Sequence, residues 1–150
     1  MVALPSLPLI GWQEYINFTH LPLPPVKAKI DTGADSSALH AIAITYEHRN
    51  DRLWVRFVTH PHPDATTPAV ICSAPVIDQR TVRNSGGESE LRPVIRTPVQ
   101  LGGLTWSIDL TLTARTEMRF RMLLGREAIR QRFWVEPSQA YLQSRLSVLS

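Results

Sequence analysis

The sequence predicts an all-β domain, a barrel or a sandwich, with one short helix near its C-terminal end. Three observations carry that reading. Short segments rich in β-branched and aromatic residues alternate between two faces. Turn signals separate them at short intervals. Long helical periodicity is nearly absent, and 12 prolines interrupt the chain.

The elements follow in order. Trp54 to Thr59, Trp-Val-Arg-Phe-Val-Thr, alternates between two faces, as a strand does. Val94 to Leu101 and Thr105 to Leu112 do the same. Turns are marked by Arg49-Asn50-Asp51, by the proline-rich stretch from His60 to Pro68, by Asn84-Ser85-Gly86-Gly87 and by Gly102-Gly103. The last is short enough for a tight hairpin. Gly125 to Phe133 holds helix formers, with Ile129 and Phe133 four apart, and predicts a helix of about two to three turns. A final strand is expected over Phe133 to Val135, with Ala140 to Leu142 returning after Pro137-Ser138.

Composition narrows the function classes. A chain of 150 residues suits one domain, 1–150, able to bury its own core. Hydrophobic residues at 43% and charged residues at 19% make it globular. One cysteine, Cys72, excludes an intrachain disulfide framework. The net charge of +3 comes from 16 basic and 13 acidic residues, without a basic run or a basic stripe interleaved with aromatics. That argues against nucleic acid as the partner. No apolar run reaches the length of a membrane span. Met1 to Ile10 is apolar but broken by Pro5 and Pro8 and carries no basic residue, so it does not read as a signal peptide. The expected location is cytoplasmic.

The chemistry concentrates in Lys27-Ala28-Lys29-Ile30-Asp31-Thr32-Gly33-Ala34-Asp35-Ser36-Ser37. An aspartate at the end of a strand can activate water as a general base. A glycine two residues later lets the backbone turn tightly. By itself the tripeptide is also what an ordinary Asx-type turn looks like. This loop resembles the active-site loop of aspartic proteases. A second segment, Met122-Leu123-Leu124-Gly125-Arg126, resembles the apolar-apolar-Gly-Arg stretch that precedes the single helix of retroviral proteases. The two motifs stand in the same order in one small all-β chain. Between them, Ile77 to Arg83 and Leu91 to Leu101 flank a tip at Ser85, Gly86 and Gly87, which resembles the flap of retropepsins. Extra sequence, including Leu53 to Thr59 and the proline-histidine loop, lies between Asp35 and this hairpin.

Over nearly its whole length the chain is similar to a bacterial retropepsin-like family labelled as ATP-dependent zinc proteases, some encoded beside ATP-grasp glutamate ligases. The resemblance runs through Gly11-Trp12, Lys27 to His40, Trp54 to His60, Ala74 to Asp78, Ser85-Gly86-Gly87, Ile95 to Pro98, Leu112-Thr113 and Arg121 to Arg126. Asp35-Ser36 departs from the family, where many members carry a basic residue and Thr. The label does not fit the residues. A phosphate-cradling Gly-x-x-x-x-Gly-Lys-Ser/Thr is absent, and so is His-Glu-x-x-His. His60, His62 and Cys72 lack metal-ligand spacing, so neither a metal nor a cofactor is expected.

The resemblance implies a closed, retropepsin-like β-barrel with one short C-terminal helix. It implies a homodimeric aspartic endopeptidase, a hydrolase in which Asp31 of each subunit activates water for peptide-bond cleavage. Two carboxylates must share a proton in that chemistry, and one chain holds a single Asp-Thr-Gly. Thr32, Gly33 and Ala34 complete the implied loop. Asp35, Gly125 and Arg126 would brace it, with Asp35 and Arg126 as a charge pair. The alternative is a non-catalytic module of the same fold that dimerises or binds peptide and regulates a partner such as an ATP-grasp glutamate ligase.

Overall fold

The structure is a computed structural model that describes residues 6–64, 66–83, 86–115 and 119–144. Eleven strands and one short helix occur in it. A two-stranded parallel sheet joins β1 (Leu9–Ile10) to β11 (Trp134–Val135). The other nine strands are β2 (Gln13–Phe18), β3 (Val26–Asp31), β4 (Ser37–His40), β5 (Ile42–Arg49), β6 (Arg52–Thr59), β7 (Val70–Arg83), β8 (Ser89–Leu101), β9 (Leu104–Thr113) and β10 (Met122–Gly125). They form one mixed sheet in the order β2-β3-β10-β4-β9-β8-β7-β6-β5.

Alternation explains the strands that the sequence predicts. In β9, Trp106, Ile108, Leu110 and Leu112 point into the core. In β6, Val55 and Phe57 are buried while Arg56 between them is exposed. Burial of each such side chain contributes about 1.5–3 kcal/mol. Asn50 and Asp51 close the β5–β6 hairpin with φ of 51° and 63°, the left-handed pair a two-residue turn requires. Gly102, at φ 59°, does the same between Leu101 and Leu104. β4 and β10 are different. Every residue of β4 is buried, as are three of four in β10, so neither alternates.

Two expectations need correction. The closed barrel does not form. The sheet runs on through β7 and β6 to β5, whose outer edge has no strand beside it among the described residues, while β2 meets β8 over only Asn17–Gln100 and Phe18–Val99. The reason lies in the extra sequence after Asp35. It supplies β5 and β6, and β7 divides its pairing, giving Val70–Pro75 to β6 and Val76–Arg83 to β8 across a bulge at Val76/Asp78. The helix is also shorter than expected. α1 covers only Arg126–Ile129, because Arg130 turns to ψ 140° and Gln131 takes φ 66°. Among the described residues no helix is long and apolar enough to cross a membrane.

The C-terminal segment is tied down by one carboxylate. Glu14, fully buried, accepts N–H bonds from Gly11 (2.7 Å), Leu142 (2.8 Å) and Gln143 (3.0 Å) and the Ser144 hydroxyl (2.9 Å). A buried polar side chain is tolerated when its hydrogen bonds are so fully made. Glu14→Ala is therefore expected to cost about 2–4 kcal/mol in urea unfolding. Hydrogen exchange at the Leu142 and Gln143 amides should rise well before that of β9.

Candidate functional site

The site is assembled by β10. It lies between β3 and β4, parallel to β3, with Leu124 opposite Ile30 and Gly125 opposite Asp31. Thus the Asp-Thr-Gly loop and the Gly-Arg segment, some ninety residues apart in the chain, become neighbours. Gly125 is required there, since a Cβ would stand 2.5 Å from the Ser36 carbonyl oxygen. Its N–H donates to Ser37 Oγ at 2.9 Å. The Arg126 N–H donates to Ala34 O at 2.7 Å, and the Glu127 N–H to Asp35 O at 3.1 Å.

Side chains complete the brace. Arg126 Nη1 donates to Thr32 O at 2.8 Å, and Nη2 donates to Asp35 Oδ1. Asp31 is half-buried, and its Oδ1 accepts the Gly33 N–H at 3.1 Å, an Asx-type closure of the turn. Thr32 and Gly33 are exposed. Ala34 lies at the wall of the adjoining groove. Gly86 and Gly87 sit, exposed, at the tip of the β7–β8 hairpin, and Ser85 lies outside the described residues. The structure therefore gathers Asp31, Thr32, Gly33, Ala34, Asp35, Gly125 and Arg126. It does not bring Gly86 or Gly87 into the groove lining.

That groove runs between the Asp31 loop and the hairpin arms and holds about 620 Å³. Thr81, Val82, Arg83 and Arg92 form its hairpin side, and Asp35, Ser36, Thr111, Thr113 and Arg115 the opposite side. A smaller cleft of about 360 Å³ adjoins it at Arg115 and Leu123, and contains Lys29, Asp31, Arg119 and Phe120. Across the two, Lys29, Arg83, Arg92, Arg115 and Arg119 face Asp31 and Asp35. Sequence reasoning missed these cations as a site, because they come from five separate places along the chain.

Arg115 is the most informative of them. Its Nε donates to Phe120 O at 3.1 Å, while Nη2 is buried and has no hydrogen-bond partner among the described residues. Burial pulls its pKa down, and Arg92 adds to that, with partial relief from Asp31. Arg92 Nε is likewise buried without a hydrogen bond among the described residues, standing 3.6 Å from Glu90 Oε2. Behind Arg115, fully buried His40 accepts the Arg115 backbone N–H on Nδ1 at 2.8 Å. Burial, with Arg121, His60 and Arg115 nearby, pushes the His40 pKa down to about 4. Among the described residues no group of His, Cys, Asp and Glu gathers as a metal site. Cys72 is buried, its thiol pushed up to about 11.

Fold and site together define a mostly β domain with a mixed sheet, in which a strand-borne Asp-Thr-Gly turn is braced by a Gly-Arg segment beside a cationic groove. The chain belongs to the RimB-like family, described as retropepsin-like aspartic endopeptidase RimB, which matches residues 9–146. It is 45% identical over 130 residues to a "Probable alpha-L-glutamate ligase" of Desulfotalea psychrophila, and 41% identical over 133 residues to one of Shewanella pealeana. Those matches cover 87% and 89% of this chain but only 28% and 29% of the ligases, so the chain spans less than a third of the length of these relatives. A crystal structure of the Legionella pneumophila protein Lpg0085, of unknown function, superposes with a TM-score of 0.76 at 27% identity, covering 91% of this chain and 98% of that one.

These findings correct the expectation of a dimeric aspartic endopeptidase. The sheet is not the closed barrel that expectation carried. Asp35, the next carboxylate after Asp31, is turned to Arg126. The matched curated relatives are named as ligases, not as hydrolases. The reason for requiring a homodimer, one aspartate from each subunit, goes with the mechanism that needed it.

Two outcomes check the site. His40 is held neutral in the fold, so the unfolded chain binds the extra proton first. Stability should fall as pH drops from about 6.5 toward about 4, where the folded state also protonates. In urea unfolding at a series of pH values, His40→Asn should flatten that part of the curve. Arg126→Lys cannot serve Thr32 O and Asp35 with one planar fork. Because this pair is exposed, the stability loss should stay within about 1 kcal/mol. The amide NMR signals of residues 31–36 should nevertheless move.

Proposed function

We propose that this domain is a peptide-binding module that works with an alpha-L-glutamate ligase and holds an acidic peptide in the cationic groove without cleaving it. The observation that carries this reading is the pair of buried arginine nitrogens beside the groove, Arg115 Nη2 and Arg92 Nε, that have no hydrogen-bond partner among the described residues. A buried guanidinium N–H left without an acceptor is costly, and a carboxylate that accepts it removes that cost. Clusters of arginine are a recurrent means of recognising acidic segments. The ligase link rests on the relatives, in which a domain like this one makes up less than a third of a protein named for joining glutamate. A peptide bearing glutamate supplies acceptors beyond Asp31, Asp35 and Glu90, which leave these two nitrogens without a hydrogen bond among the described residues. A cytosolic address goes with this reading.

The test is fluorescence anisotropy with a labelled glutamate-rich peptide and its glutamine counterpart. The acidic peptide should bind and weaken as salt rises, since the groove is open to solvent. Arg115→Ala or Arg92→Ala should weaken binding about tenfold. Asp31→Asn should bind at least as well as the parent, because it removes a like charge. Equal binding of the glutamine peptide overturns the acidic reading. Peptide fragments in mass spectra, lost on Asp31→Asn, would overturn the non-catalytic one.

A further inference from the structure

A second cleft of about 360 Å³ shares no lining residue with the groove and its adjoining cleft. It is bounded by Arg96, Trp106, Asp109, Glu127, Arg130 and Arg132. Arg80 marks its boundary with the groove, donating to Ser36 Oγ at 3.2 Å on one side and reaching Asp109 (3.5 Å) and Glu127 (3.9 Å) on the other.

The carboxylates of this cleft are already engaged. Asp109 takes both arms of Arg96, at 2.8 and 3.3 Å, and also faces Arg80. Glu127 faces Arg80. Arg130 and Arg132 form no ion pair among the described residues. Their backbone is held in place, because the Arg130 N–H donates to Arg126 O (3.0 Å) and the Arg132 N–H to Ile129 O (3.1 Å) on either side of Gln131. The Arg132 guanidinium carbon lies 6.0 Å from the centre of the Trp106 ring. Trp106 is 8% exposed, and its indole N–H has no acceptor among the described residues. Two guanidinium groups without an ion pair among the described residues thus line the same cleft as a buried donor in need of an oxygen. A cleft of this size falls at the lower end of small-molecule sites, which run from about 300 to 1,000 Å³.

We propose that this cleft is a separate binding site for a small oxyanion, a carboxylate or a phosphate, held by Arg130 and Arg132 with Trp106 beneath them. Guanidinium forks match either group, with two N–H donors to two oxygens. The assignment does not depend on what the groove binds.

The test is NMR titration of the 15N-labelled protein with inorganic phosphate and, separately, with L-glutamate, against sodium chloride at matched ionic strength. The two arms distinguish phosphate from carboxylate. Trp106→Phe identifies the indole signal. The expected result is a saturable shift of the Trp106 indole N–H and the amides of residues 130–133 with at least one of the two anions. The Arg130→Ala/Arg132→Ala variant, whose changes lie at the surface, should weaken that affinity about tenfold or more. Arg115→Ala, in the groove, should leave it unchanged. Shifts that do not saturate, that chloride reproduces, or that persist in the double variant would overturn the site. So would the absence of a shift with both anions.

Discussion

Gly125 passes against the backbone of Ser36 at a distance no side chain would tolerate. That single close approach lets β10 fit between β3 and β4 and fixes Gly125 opposite Asp31. The rest of the site follows from it. The Ser37 hydroxyl receives the Gly125 N–H, the Ala34 carbonyl receives that of Arg126, and the guanidinium folds back over Thr32 and Asp35. Without this insertion the Asp31 loop would have no partner on one side, and the groove would lose the face that Leu123 and Arg115 build with it.

A second tension organises the groove. Buried arginine nitrogens are usually hydrogen-bonded, yet Arg92, which pairs with Glu90, and Arg115 each keep one without a hydrogen bond among the described residues. The fold tolerates Arg115 by anchoring the rest of it, through the Phe120 carbonyl and through His40. His40 can play that part only as a neutral ring, since the acceptor on Nδ1 disappears on protonation. Burial first, then Arg121, His60 and Arg115, keep it neutral. A structural histidine thereby supports a cationic surface, and the same electrostatics favour an anionic occupant.

Much of the fold was legible in the sequence. β6, β8 and β9 alternate over part of their length, around Val55 to Phe57, from Ile95 to Leu101 and from Thr105 to Leu110, where one face meets the core and the other is more exposed. The turns at Asn50-Asp51 and Gly102-Gly103 were legible because left-handed backbone has few suitable residues. β4 and β10 carry no alternation, being buried on both faces, and local reading did not mark them as strands. The helix was overread, because its propensity continues past the point where Gln131 turns the chain. The barrel was overread too, since resemblance implies closure while β5 and β6 extend the sheet instead.

The sequence by itself determined the Asp31-Thr32-Gly33 turn, the Gly125-Arg126 segment and the family that unites them. These are short-range patterns, and chemistry that depends on adjacent residues is written locally. Only the tertiary structure decided which charges share a surface. Lys29, Arg83, Arg92, Arg115 and Arg119 belong to different strands and loops, and the order of strands brings them together. The physical reason is that strand pairing acts between segments far apart in the chain. A composition of +3 scattered over the length therefore becomes a concentrated field only once the sheet has chosen its neighbours.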